Sequence, residues 1–262
     1  MKIGVCIKQV PDTETKVKVA ADGRSLDAAG VTFVISPYDE YALEEALRIK
    51  EKQTGEVVVF SVGDERTGTS LRTALAMGAD RAVHLKDAAF EGSDAVGLSR
   101  ILAAALKPEA FDLILMGKQA VGTDRGQIGP RVAELLGLPH VSVVTHLEVG
   151  EGSFRAHREI EGAHEIVEGA TPALVTAQKG LNEPRYASLK GILAAKKKEM
   201  KVLGAADLGI DPATVGHAGA RTRWEKLELP PARTAGKMLK DMEPAAAAHE
   251  LVRLLREEAK VI

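Results

Sequence analysis

A chain of 262 residues, 45% of them hydrophobic, can bury a sizeable core as one large α/β domain with room for a small appendage. Its net charge of −2 and its 3% of aromatic residues exclude nucleic-acid binding driven by bulk positive charge or by extended base stacking. Cys6 is the only cysteine, so neither an intramolecular disulfide nor a cysteine-based zinc cage is available.

Residues 2–8 read as a buried strand. The chain opens directly on this segment, without an apolar stretch of signal-peptide length or an Arg/Ser-rich leader. No later run is long enough to cross a bilayer, so a cytoplasmic protein without membrane insertion is expected. Ser36 and Pro37 supply the start of an amphipathic helix over 39–52, which Gly55 closes. A β-branched strand at 57–62, a helix at 67–77 stopped by Gly78 and a short strand at 82–85 follow. Ser93 is the expected cap of a helix running to Leu106. A strand at 112–116 ends in Gly117, and a helix over 127–136 is stopped by Gly137. Strands separated by helices of this length imply βαβ units, and so an α/β fold with a parallel, doubly wound, nucleotide-binding-like sheet. After Pro139 the segments 141–149, 153–160, 163–169 and 173–178 are short and alternating, and read as antiparallel strands added to the parallel core. The pattern divides the chain into a domain over 1–204 and an extended C-terminal arm over 205–262, first rich in Gly, Ala and Pro and then helical over 243–260. Such an arm suits wrapping on a partner and closing its own domain equally well.

In a parallel sheet, ligands bind beyond the carboxyl ends of the strands where the winding direction switches. Cys6-Ile7-Lys8, Ser61-Val62-Gly63 and the loop from Gly117 to Gly129 would share that crevice. The loop, GKQAVGTDRGQIG, joins a strand to a helix. Its glycines let the backbone approach a ligand, and the N–H groups at a helix start attract an anion. It is neither a GxGxxG fingerprint nor a Walker A, and an ordinary glycine-bearing turn explains the pattern equally well. Cys6 reads as a small core residue with nothing nearby in sequence to depress its pKa. His140, His146, His157 and His164 are spaced by 6, 11 and 7, which matches no common metal-ligand pattern. Asp39-Glu40 and Glu159-Ile160-Glu161 have structural readings, and no Ser/His/Asp order suggests a hydrolase. Without a catalytic set, the chain reads as a cofactor holder or carrier and not as an enzyme.

Residues 181–198, LNEPRYASLKGILAAKKK, join a turn to a short apolar run that ends in three lysines. Leu189 and Ile192 fall on one side of a helical turn with Leu193 close by, and Lys196, Lys197 and Lys198 stand where the helix dipole favours cations. A solvated surface helix and a docking knob both fit this pattern. The segment closely resembles the signature region of the β subunit of electron-transfer flavoproteins. The resemblance extends through KIGVCIKQVPD, RTALAMGAD, GKQAVGTDRGQIGP and REIEGAHEIVEGATPALVTAQ, thins after about residue 205, and returns at PPARTAG.

The resemblance implies one half of an αβ heterodimer that shuttles electrons from acyl-CoA dehydrogenase-type flavoenzymes to a quinone reductase or similar acceptor. It further implies a redox-active FAD held mainly by the α subunit and a structural AMP held by the β subunit. The positions matching the AMP site are Cys6, then Ser36, Pro37, Tyr38 and Asp39, then Val62. The loop adds Ala120, Val121, Gly122, Thr123, Asp124, Arg125, Gly126, Gln127, Ile128 and Gly129, with the amides of 123–129 expected to hold the phosphate. Thr13 and Tyr38 match positions that approach the flavin ring. Relatives often carry an aromatic where Thr13 stands, and Ser36 replaces an Asn of some relatives. Leu189 matches the leucine that anchors in a hydrophobic pocket of partner dehydrogenases, with Ile192 beside it. Lys197 stands at one of two lysine positions methylated in some relatives, and Ala194 at the other. A bifurcating relative with a second FAD in place of AMP, and a stand-alone adenine-nucleotide-binding protein of the same layout, share these features.

Overall fold

The first strand, β1 (Lys2–Cys6), is buried along nearly its whole length, as a strand covered on both faces must be. The computed structural model describes residues 1–233 and 235–262. Thr234, within the PPARTAG segment, lies outside the described residues. Strands β2 (Gln9–Pro11) and β3 (Phe33–Ile35) pair antiparallel in a small sheet that is too short to leave a periodic signal. The expected alternation follows: α1 (Pro37–Gln53), β4 (Glu56–Val62), α2 (Thr67–Met77), β5 (Arg81–Leu85), α3 (Ala95–Leu106), β6 (Leu113–Gly117) and α4 (Ile128–Leu136). Helices α2 and α4 end on Gly78 (φ 140°) and Gly137 (φ 67°), conformations that only glycine adopts freely. The cap of α3 is Asp94, not the expected Ser93. The Asp94 carboxylate accepts from Val96 N and Gly97 N at 2.9 and 3.0 Å, while Ser93 Oγ accepts from Gly216 N at 2.8 Å.

Strands β7 (His140–Val149), β8 (Ser153–Ile160), β9 (Ala163–Ala170) and β10 (Ala173–Ala177), helix α5 (Leu189–Ala195) and β11 (Met200–Leu203) complete the main sheet. Its nine strands run in the order β11-β5-β4-β1-β6-β10-β7-β8-β9. Within this sheet, antiparallel pairing among the described residues is confined to β7–β8–β9. The segment expected as a fourth antiparallel strand is instead β10, a fully buried parallel strand between β6 and β7. Small Ala173, Thr176 and Ala177 around Leu174 and Val175 imitate an alternating strand, although both faces are covered.

Helices pack on both faces of the sheet, as the period of two along each strand requires. Val57 and Val59 of β4 join Leu43 and Leu47 of α1 and Leu71 and Leu75 of α2. Val58 and Phe60 join Ile101 of α3 and Val132 of α4 on the other face. The chain divides into two compact units, Met1–Lys226 and Leu227–Ile262. Where the sequence pattern places a boundary after residue 204, residues 205–226 group with the first unit, and Ala205 and Val215 are buried in its core. The short helix α6 (Gly216–Gly219) belongs to this stretch. In the second unit, α7 (Pro244–Arg253) carries exposed Leu251 and Val252, and Lys237 pairs with Glu258 at 2.6 Å. No helix among the described residues is long and apolar enough to cross a membrane.

Candidate functional site

The sheet order steps away from β1 in two directions, through β4, β5 and β11 on one side and β6, β10 and β7 on the other. The carboxyl ends of β1 and β6 therefore flank the switch point at which ligands bind in such sheets. A cavity of about 330 Å³ lies there. Cys6, Leu102 and Met116 give it an apolar wall, and Lys8, Lys118 and Arg125 bring three positive charges to its lining.

Asp39, from the first turn of α1, holds the two strand ends together. One carboxylate oxygen accepts from Lys8 N at 2.8 Å and the other from Gly117 N at 2.9 Å. Gly117 is obligatory here, because a Cβ at that position would lie 2.4 Å from the Asp39 carboxylate. Burial pushes the Asp39 carboxyl up to about 7, against the pull of the two accepted hydrogen bonds and of the Lys8 charge. Burial also lowers the Lys8 ammonium from its ordinary value, with Asp39 acting in the opposite sense and Arg125 in the same one. The Cys6 thiol is held far above the ordinary range, by burial first and then by the Asp39 charge, so it is no nucleophile.

Lys8 Nζ donates to Thr123 Oγ1 at 3.3 Å, Lys118 stands 5.0 Å from the centre of the Tyr38 ring, and Arg125 stands 5.8 Å from that of Trp224. None of these three cations forms a salt bridge among the described residues. The loop that carries two of them turns on Gly122 (φ 86°) and Gly126 (φ 60°). Thr123 N and Asp124 N donate to Ala120 O at 3.4 and 3.0 Å, so these two amides are spent inside the loop and not on an anion. The N–H groups of Gln127, Ile128 and Gly129 have no such partner among the described residues, and no side chain caps α4. The start of that helix is thus open to an anion. Gly129 lets α4 approach β10, since a Cβ there would meet Thr176 Cγ2 at 2.5 Å.

Of the residues singled out in the sequence, Cys6, Asp39, Val62, Ala120, Thr123, Arg125, Gly126, Gln127 and Ile128 line the cavity together. Ser36 is fully buried behind it, where its Oγ accepts from Val121 N at 3.4 Å. Pro37, Tyr38, Val121, Gly122, Asp124 and Gly129 shape the surroundings without lining it, and Thr13 lies apart on the exposed turn after β2. Ile7, Lys8, Gly117, Lys118 and Gln119, which their place at two strand ends also assigns to the crevice, line it as well, and Met116 extends the set. Ser93, Leu98, Leu102 and Trp224 also line the cavity, with no local signal in the sequence. His146 and His157 face each other across β7 and β8 with ring centres 5.0 Å apart. No group of three His, Cys, Asp or Glu among the described residues is placed to hold a metal ion.

The other candidate surface is α5, none of whose residues lines the cavity. Ser188 caps it, accepting from Gly191 N at 3.0 Å. Leu189 is 83% exposed and Leu193 65%, with Tyr186, Ile192 and Lys197 exposed beside them. Lys198 does not join the solvated lysines. It turns inward and donates to Leu75 O at 3.0 Å and Ala79 O at 2.5 Å, at the end of α2.

Fold and crevice together define an α/β protein with a doubly wound, mostly parallel sheet and a cation-lined cavity at its switch point, with an apolar knob presented on a separate helix. Residues 25–208 match the family model described as the electron transfer flavoprotein domain. The chain is 44% identical to the electron transfer flavoprotein subunit beta of Bacillus subtilis (strain 168), over the full length of both. It is 42% identical to the subunit of the same name from Thermoanaerobacterium thermosaccharolyticum, over 91% of this chain and 92% of the relative. A subunit of the caffeyl-CoA reductase-Etf complex of Acetobacterium woodii, CarD, is 36% identical over 98% of this chain and 99% of its own. The chain belongs to the electron transfer flavoprotein family, as a protein of the beta-subunit type.

Proposed function

We propose that this chain pairs with an α subunit and that the pair carries electrons from acyl-CoA dehydrogenase-type flavoenzymes to a quinone reductase or similar acceptor. In this reading the crevice of the present chain holds AMP. What carries it is one crevice in which an apolar wall, three cations and an open helix start meet. The wall suits a purine, and Lys8, Lys118, Arg125 and the amides of 127–129 suit a dianionic phosphate. A volume of about 330 Å³ lies at the lower end of small-molecule sites, roughly 300–1,000 Å³. A mononucleotide fits that space, whereas a dinucleotide would extend beyond it.

FAD, when bound, supplies the electron-carrying chemistry. Tyr38, with Lys118 against its ring, and the exposed Thr13 are the residues this chain would turn toward it. Leu189, Ile192 and Lys197 would meet the electron donor. A single well-exposed apolar anchor on a short helix gives recognition with little buried area, and so rapid release. The unit Leu227–Ile262, with apolar side chains exposed along α7, would pack on the companion subunit.

Native mass spectrometry of the protein from its own source, with released nucleotides identified, tests this reading. A heterodimer with one FAD and one AMP is the expected result. Two FAD molecules would replace the reading with a bifurcating relative, and a flavin-free monomer would leave only a stand-alone nucleotide binder.

A further inference from the structure

Trp224 is the only tryptophan of the chain, and its side chain lines the crevice from a segment remote in sequence from every strand end. The strap that carries it is fastened on both sides of the ring. Ahead of it, Asp94 Oδ2 accepts from Arg221 N at 2.9 Å and Thr222 N at 3.2 Å, while the other oxygen of the same carboxylate caps α3. Behind it, Arg24 Nε donates to Glu225 O at 3.2 Å. Earlier in the strap, Val215 is fully buried and Arg100 Nη1 donates to Thr214 O at 2.9 Å. The tryptophan held between these anchors is still 53% exposed, with the Arg125 guanidinium 5.8 Å from its ring centre. Half-exposed aromatic surface on a cavity wall is surface that a ligand can cover. A guanidinium resting on a ring face keeps its N–H fork available to a phosphate.

We propose that Trp224 is a nucleotide-binding residue: its ring closes the crevice over a purine mononucleotide and holds Arg125 in place for the phosphate. This rests on the reading of the crevice as a nucleotide site. The ring contributes retention, so its loss acts mainly on release. The strap belongs to the first unit through its buried Ala205 and Val215 and these hydrogen bonds, and it brings one residue, Trp224, to the crevice wall.

The test is the release of labelled AMP from the complex with the companion subunit, chased by unlabelled AMP, in wild type, Trp224→Phe and Trp224→Ala. The alanine variant is expected to release AMP roughly tenfold to a hundredfold faster and the phenylalanine variant within about threefold of wild type, the size of a lost aromatic contact to a base. Flavin content stays unchanged in both. The emission difference between wild type and Trp224→Phe isolates this ring, and it should change in step with AMP occupancy. Wild-type release from the alanine variant, with an emission that ignores AMP, would overturn the proposal while leaving the nucleotide site standing. If wild type takes up no AMP at all, the nucleotide site itself is wrong and the proposal falls with it. Should the alanine variant also lose flavin, the emission titration of wild type against Trp224→Phe decides.

Discussion

Asp39 is the side chain on which the crevice most depends, because one buried carboxylate ties the end of β1 to the end of β6. Its carboxyl ionises at the ordinary 3.8 in the unfolded chain and at about 7 in the fold. Between those pH values the folded protein keeps a proton that the unfolded chain has released. Its contribution to stability is therefore fully present below the lower value and lost as pH rises through the upper one. Asp39→Asn removes this slope but leaves one backbone N–H without its acceptor, at a cost of about 1–3 kcal/mol. The difference in unfolding free energy between wild type and variant should thus be largest at the acid end of that window and shrink towards its upper end. A difference that stays constant with pH would refute the raised pKa. Gly129 is a steric counterpart. Gly129→Ala drives a Cβ into Thr176, and overpacking of this kind costs about 1–3 kcal/mol, readable in a denaturant titration.

Helix α5 is short, and it owes its position to α2. Arg72 Nη1 donates to Ala195 O and Lys198 O at 2.7 and 3.1 Å, and Lys198 Nζ returns to Leu75 O in the last turn of α2 and to Ala79 O just beyond it. Each helix end is thus satisfied by a cation from the other segment. Gly191 brings the two backbones together, since a Cβ there would lie 2.2 Å from Ala76 O. Gly191→Ala should push α5 off α2 and speed amide exchange over residues 189–195; unchanged protection would show that the contact does not hold the helix. Leu189→Ala, by contrast, removes only exposed surface and should shift stability by no more than about 0.5 kcal/mol. Its effect is expected in slower electron transfer from dehydrogenases at subsaturating concentration, with flavin content intact. Equal turnover would remove Leu189 from the docking surface. Among the strands, Leu174→Ala in buried β10 should cost roughly 2–5 kcal/mol, against about 0.5 kcal/mol or less for Ile166→Ala in exposed β9.

Across the whole chain, the sheet, both helix layers and every residue lining the crevice fall within Met1–Lys226. A chain ending after Lys226 is accordingly expected to unfold cooperatively and to keep its nucleotide, while pairing poorly with its companion subunit. Analytical ultracentrifugation of the mixed subunits would show this, and pairing as tight as that of the full chain would remove the proposed role of the arm.

The parallel sheet, the glycine-stopped helices and the loop from Gly117 to Gly129 were legible in the sequence because each leaves a mark within one or two turns of chain: an apolar period, a left-handed glycine, a strand running into a helix. The exposed apolar face of α5 was legible for the same reason. The identity of the α3 cap, the place of β10 between two parallel neighbours, the inward turn of Lys198 and the arrival of Trp224 at the crevice were not. Asp94 meets Arg221 across 127 residues, and Lys198 meets Leu75 across 123. No local pattern encodes such a partner. Periodicity and propensity act along the chain, whereas the wall of a cavity is composed of whatever distant segments the folded sheet brings together.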